Sequence, residues 1–389
     1  MPLIHHLQLS LTKGIGPVLY RRLIEACGGV EEACHCSMKI MAQIEGIGSK
    51  RSDSILRALR ESQLLAQEEF ARSQQLGISI YCNEDEAYPI LLRSIPDPPI
   101  VLYVRGDLQP RDLNAIAIVG SRKCSYYGRE QAERFGALLA GGGFTILSGG
   151  ARGTDSAAHR GAISHPQGRT IAVLGSGADV AYPPENAALF DQIATRGAIV
   201  SEYPLGTPPL AEHFPRRNRI VSGMSRGVLV TEAAERSGAL ITARQAADDH
   251  GRPVFALPGR VDNLMSAGPH QLIRDGATLT TCIDDILQNL GPLPDEVYHA
   301  YEIKTPNDES LSPEPGNDIE PAESPKPKSV TLTDSQNNLL EHFDAEELSV
   351  DQLIERTGLP ASRILSDLTL LSLKGLVKRL DGQTYKRVK

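Results

Sequence analysis

The chain is 389 residues long, and none of its apolar runs approaches the roughly 18–20 residues needed to cross a bilayer as a helix. Its opening "MPLIHHLQLSLTKG" lacks the basic flank, long apolar core and small-residue end of a secretory signal. Cysteine is scarce: six residues, Cys27, Cys34, Cys36, Cys82, Cys124 and Cys282, lie scattered without the even spacing of a disulfide framework. A reducing, cytoplasmic setting and no membrane association are therefore expected. The "CHC" at 34–36 has only Cys27 near it, short of the four ligands a structural zinc takes, so no metal site is expected and these read as ordinary thiols. A net basic charge is also missing. The formal charge is −8, which counts against wholesale nucleic-acid binding.

What is present is unevenly spread. Residues 302–328 hold seven acids and three lysines. Residues 111–260 hold 17 basic residues against 13 acidic ones, and 16 of the 17 are arginine, the side chain best suited to planar, bidentate phosphate contacts. Hydrophobic residues make up 41% of the chain, enough for two or three domains with real cores.

The composition divides the chain. "SPEPGNDIEPAESPKPK" (312–328) is Pro, acid and Ser, and cannot bury enough surface to offset its ordering entropy. Residues 302–330 are expected to be an acidic, Pro-rich, disordered linker. Before it, residues 1–65 read as helical. "GIGP" (14–17) and "GIGS" (46–49) each precede a helical run, as in a helix-hairpin-helix unit or a plain helical bundle. After the linker, 331–389 read as a winged helix-turn-helix. Ser349 and Gln352 have capping-box spacing, and Ile364, Leu365, Leu368 and Leu371 share one helix face. Asp381-Gly382 is a hairpin turn between two strands.

The middle region, 66–290, follows another rhythm. Short apolar runs, "AIAIVG" (115–120), "FTILSG" (144–149), "TIAVLG" (170–175), "AIVSEY" (198–203), "GVLVTE" (227–232) and "PVFALPG" (253–259), alternate with amphipathic helical stretches. Continuous apolar strands separated by helices mean a parallel sheet covered on both faces. The expected class is α/β, a doubly wound, parallel, Rossmann-like sheet, flanked by the small helical N-terminal domain and the C-terminal winged helix. "GISIYC" (77–82) and "IVLYVRG" (100–106) are expected to add strands or an edge.

Ligands of such sheets bind at the carboxyl ends of the strands. There this sequence places Gly120-Ser121-Arg122, then "SGGARGTDSAAH" (148–159), then Ser176-Gly177 and "AAERSG" (233–238). Small residues let backbone approach a phosphate, and helix starts favour anions. Yet "SGGARGTDSAAH" has no Lys-Ser/Thr pair, so it is not a nucleoside-triphosphate loop. "GSGADV" (175–180) lacks the third Gly of a dinucleotide fingerprint, so no cofactor is expected. In "HFPRRNRIVSGMS" (213–225), Phe214 and Pro215 open a helix whose first turns carry Arg216, Arg217, Asn218 and Arg219. A ring among guanidinium groups suits single-stranded nucleic acid: the cations take phosphates and the ring stacks on a base.

Taken in order, "IAIVGSR", "SGGARGTDSAAH", "LGSGADVAYPPEN", "SEYPLGTPP", "HFPRRNRIVSGMS", "TEAAERSGALITARQAADDHGRPVFALPG" and "GATL" resemble the DNA-processing protein A (DprA/Smf) family over about 115–280. The resemblance implies a non-enzymatic function. Such a protein binds single-stranded DNA, dimerises through its Rossmann-like domain, protects incoming strands in natural transformation and loads RecA recombinase. By matching position it implies a DNA site at Gly120, Ser121, Arg122, Gly149, Gly150, Arg152, Gly153, Phe214, Arg217, Asn218 and Arg219. Arg216 falls at a variable position. "LAE" (210–212) stands where the family often has a basic or Pro-rich stretch, which puts Glu212 near the DNA path.

Two alternatives remain open on the residues alone. One is a nucleotide phosphoribohydrolase of the LOG type, with Glu232 and Glu235 available to stabilise an oxocarbenium ion. Against it, "SGGARGTDSAAH" lacks the Glu that such loops carry after Gly-Thr. The other is a double-stranded DNA regulator acting through the winged helix, whose reading helix offers Arg363 and a few hydroxyls.

Overall fold

The computed structural model describes residues 2–291, 334–343, 347–359, 364, 367–368, 371, 376–379 and 384–387. The chain forms two compact units, Met1–Pro292 and Leu293–Lys389. In the first unit, five helices come first: α1 (Pro2–Leu11), α2 (Pro17–Cys27), α3 (Val30–Cys34), α4 (Met38–Gln43) and α5 (Gly48–Gln75). Both Gly-apolar-Gly turns precede helices as expected. Pro17 opens α2, and Gly46 and Gly48 take φ of 93° and 64° at the entry to α5. Cys34 and Cys36 are buried in this layer, and burial pushes both thiols up to about 12.

The α/β part follows: β1 (Ile78–Cys82), α6 (Ile90–Arg93), β2 (Val101–Gly106), β3 (Ala115–Val119), α7 (Tyr126–Gly141), β4 (Thr145–Ser148), α8 (Thr154–Ser164), β5 (Arg169–Val173), α9 (Ala187–Arg196) and β6 (Ala198–Ser201). It ends with α10 (His213–Gly223), β7 (Gly227–Val230), α11 (Gly238–Arg244), β8 (Val254–Ala256), α12 (Ala267–Arg274), β9 (Thr278–Leu279) and α13 (Ile283–Asn289). The nine strands run in the order β1-β2-β6-β5-β4-β3-β7-β8-β9. From β6 to β9 every pairing is parallel, whereas β1 and β2 form an antiparallel edge. All six apolar runs are strands, and β3 to β8 are buried at every position. Burial on both faces explains why they read as continuous rather than alternating.

One face packs against α10 and α11 through Ile220, Val221, Ala239 and Leu240. The other packs against α7, α8 and α13 through Phe135, Leu139, Ala158 and Ile286. The approach of α7 to α8 is close because Gly136 has no side chain; a Cβ there would lie 2.5 Å from the carbonyl oxygen of Ala158. The N-terminal helices share a third core with the sheet, running from Leu7 and Leu23 to Ile80, Leu174 and Phe190. Strand β3 lies between β4 and β7, so the winding reverses there. That reversal opens a crevice at the carboxyl edge.

The second unit contains α14 (Asp334–Glu341), β10 (Glu347–Ser349), α15 (Val350–Thr357), β11 (Val377–Arg379) and β12 (Thr384–Arg387). The strands form an antiparallel sheet, β10-β12-β11. The capping box is made: Gln352 N–H donates to Ser349 Oγ at 3.2 Å, and Ser349 N–H donates to Gln352 Oε1 at 2.8 Å. Ile364, Leu368 and Leu371 are buried with Leu353, Phe343 and Tyr385. The expected linker (302–330), the Asp381-Gly382 turn and most of the expected reading helix, Arg363 and Leu365 included, lie outside the described residues.

Candidate functional site

A cleft of about 510 Å³ opens at the switch point. The loop after β3 supplies Gly120 and Arg122, and the loop after β4 supplies Gly149 and Ala151. The start of α8 gives Asp155, α10 gives Phe214, Arg217 and Asn218, and α11 closes the far wall. Six of the eleven sequence-expected residues, Gly120, Arg122, Gly149, Phe214, Arg217 and Asn218, line this one space, and Gly150 and Gly153 shape the loop beside it.

The glycines are required by crowding. A Cβ on Gly120 would lie 2.5 Å from Thr154 Oγ1 and 2.8 Å from Thr231 Oγ1. One on Gly149 would lie 2.1 Å from Arg217 Nη1. Gly153 adopts φ 76° and presses on the backbone of Ser121 and Arg122. The loops are also tied internally. Ser121 N–H donates to Glu232 O (2.7 Å), Lys123 N–H to Ser121 Oγ (3.1 Å), Thr154 N–H to Ser121 O (3.3 Å) and Ala151 N–H to Asp155 Oδ2 (3.2 Å). Those four amides are satisfied within the protein, so the anion-attracting groups of the cleft are chiefly guanidinium.

Arg122 is exposed at the mouth, its guanidinium 5.0 Å from the centre of the Phe214 ring, within cation–π range. Among the described residues it joins no ion pair. Phe214 is half-buried and is held by its surroundings. Tyr182 packs on it with ring centres 5.6 Å apart, and Gly175 leaves room for its edge. The neighbouring His213 stacks on Tyr203 at 3.9 Å and bonds to the carbonyl of Gly175 at 3.1 Å, which fixes the start of α10. Asn218 reaches the carbonyl of Gly238 at 3.4 Å, tying α10 to α11.

Arg217 is buried beneath Gly149 and donates from Nη1 to Val173 O at 2.5 Å. Burial, opposed by Asp155 and reinforced by Arg122, pushes its guanidinium down to about 10, so it stays charged at neutral pH. Burial in turn holds Asp155 above the ordinary carboxylate range against the pull of Arg217. Two guanidinium groups thus face a single carboxylate. His159 lies behind them. The Thr170 hydroxyl donates to Ile146 O, so it accepts from His159 Nδ1 at 2.7 Å and leaves Nε2 as the bare nitrogen. Burial, then Arg217, pushes this imidazole down to about 3.

Two expected arginines are placed differently. Arg152 forks onto the Glu185 carboxylate at the surface and does not line the cleft. Arg219 is buried on the far side of α10, bidentate to Glu202 at 2.8 and 2.9 Å and bonded to Asp97 at 2.9 Å. Glu212 is exposed just before α10; Pro209 and Ala211 line the cleft instead. Ser237 and Gly238, expected at a strand end, line the cleft, but the sequence reading missed Tyr182 and the wall beyond them, Ala239, Ile241 and Thr242. The signal for that wall was the same Ser-Gly, which follows β7 and starts a helix.

Glu232, the carboxylate offered for an enzyme, is engaged elsewhere. It accepts from Ser125 N–H and Oγ, both at 2.7 Å, and from Asn263 Nδ2 at 3.2 Å. It caps α7, and Gly128 is small to make room for it.

Fold and cleft together define an α/β protein with an arginine-and-aromatic crevice at the carboxyl edge of a parallel sheet. Residues 79–291 match the family model described as DNA recombination-mediator protein A, and residues 322–383 match the DprA winged helix domain. The chain is 34% identical to the Smf protein of Synechocystis over 402 residues, 97% of each. It is 41% identical to the Smf protein of Escherichia coli over 304 residues, 77% of this chain and 75% of that one. The X-ray structure of DNA processing protein A from Streptococcus pneumoniae superimposes with a TM-score of 0.65 at 34% identity, covering 75% of this chain and 98% of the other. The chain belongs to the DprA/Smf family. Among the described residues, no helix is long and apolar enough to cross a membrane.

Proposed function

We propose that the cleft binds single-stranded DNA without chemical change to it, and that the protein protects incoming strands in the cytoplasm and hands them to RecA recombinase during natural transformation. The observation that carries this reading is the pairing of Arg122 with the Phe214 ring at the cleft mouth, with Arg217 behind and one carboxylate between. A phosphate satisfies the outer guanidinium while a base lies on the ring. Stacking of this kind contributes about 1–3 kcal/mol per base and tolerates any sequence. A duplex keeps its bases stacked inside and cannot use the ring.

One cleft holds only a few nucleotides. A twofold dimer through the α/β unit presents two clefts to one strand, and effective concentration then raises the apparent affinity. The winged-helix unit is accessory in this reading. The test is gel-shift competition of single- against double-stranded DNA with the wild type and Arg122→Ala. Single-strand preference in the wild type, lost or strongly reduced in the variant, is expected. Equal competition by duplex, or an unaffected variant, counts against the reading. Release of free base from nucleoside monophosphates by the purified protein would return the enzyme alternative.

A further inference from the structure

The loop that carries Arg122 does not end at the cleft. It runs through Lys123 and Ser125 into α7, whose first residue, Tyr126, is 81% exposed, an unusual surface for an aromatic ring. The next ring, Tyr127, is anchored: its hydroxyl donates to Pro258 O at 3.3 Å, fixing the start of α7 against the loop after β8. The backbone beneath is hydrogen-bonded too: Ser125 caps α7 and is itself held twice by Glu232. Tyr126 is therefore an exposed ring on a hydrogen-bonded base, four residues from Arg122. Over 120–130, three cations (Arg122, Lys123, Arg129) stand against one carboxylate, Glu130. None of the three joins an ion pair among the described residues. The adjoining loop adds Val261 and Leu264, 94% and 79% exposed.

We infer that Tyr126 is a second base-stacking station, on which single-stranded DNA lies after it leaves the cleft over Arg122. This rests on the cleft being the single-strand site. The chemistry argues for nucleic acid over a protein occupant: an aromatic ring among unpaired cations, continuous with the cleft mouth, is the composition that tracks a backbone and stacks its bases. The ring has no role in the core, so its removal leaves the fold intact.

The experiment measures affinity of the full-length protein for oligothymidylates of increasing length, with wild type, Tyr126→Ala, Tyr126→Phe and Arg122→Ala, alongside the oligomeric state of each. The shortest oligonucleotide that binds should be held equally by wild type and Tyr126→Ala. Longer ones should lose about five-fold or more in Tyr126→Ala, with Tyr126→Phe restoring the affinity. Photo-cross-linking of a halogenated oligothymidylate should label Tyr126. No loss at any length, or a changed oligomeric state with unchanged affinity, overturns the inference. If Arg122→Ala is also without effect at every length, it is the cleft reading that fails.

Discussion

At the scale of single residues, the difference between the arginines is one of partners. Arg122, Arg152, Arg217 and Arg219 look alike in sequence, yet only Arg122 meets solvent without a carboxylate among the described residues. Glu185 and Glu202, which engage Arg152 and Arg219, come from separate loops. No local pattern announces a contact between residues that only the fold brings together, so those two roles were not legible. The placement of Phe214, Arg217 and Gly149 along one cleft was, because crowding at a strand end imposes a short motif. His159 gives a prediction at this scale. Its folded value near 3 lies below the ordinary 6.5, so the unfolded chain binds the extra proton between these values. The stabilising contribution is complete above about pH 6.5 and is lost as pH falls toward 3, by no more than about 1.4 kcal/mol per pH unit. Asp155, raised by burial, acts in the opposite sense. Denaturant titrations from pH 7 to pH 4 should show His159→Gln with a shallower pH dependence than wild type. An unchanged slope would show that this imidazole is not the group responsible.

At the scale of elements, the helix carrying the cleft residues is held from behind. Arg219 and Glu202 are both buried, and the pair locks α10 to the loop after β6. Removing one partner of such a pair leaves the other charge buried and costs about 3–5 kcal/mol. Arg219→Ala should therefore lower the thermal midpoint sharply and weaken DNA binding only through misplacement of α10. A variant with native stability would contradict this assignment. Six strands were legible because a doubly covered sheet demands uninterrupted apolar runs. The antiparallel β1–β2 edge was legible only as two runs of uncertain partnership, since pairing direction is set by the topology. Helix α5 extends to Gln75, past the boundary at 65, because "AQEEFARSQQ" contains no breaker; its buried Ala66 and half-buried Phe70 continue the inward face.

At the scale of the whole molecule, the chain divides into two units. Met1–Pro292 contains the entire cleft with its own cores. Deleting 330–389 should leave single-strand binding in place, which a gel shift reads directly; complete loss would return the function to the winged helix. Binding should also weaken with salt, by roughly 0.7 log units per log unit of salt for each phosphate contact. The charge balance of the full chain, −8, hid this, because the acidic stretch at 302–328 cancels the local arginine excess of 111–260.

The central claim is that Arg122 and Phe214 together take up a phosphate and a base at the mouth of the switch-point cleft. The direct measurement is a crystal structure of the protein with bound oligothymidylate. The account predicts a thymine stacked on the Phe214 ring with its phosphate against the Arg122 guanidinium. A strand bound elsewhere, with that mouth empty, would contradict it.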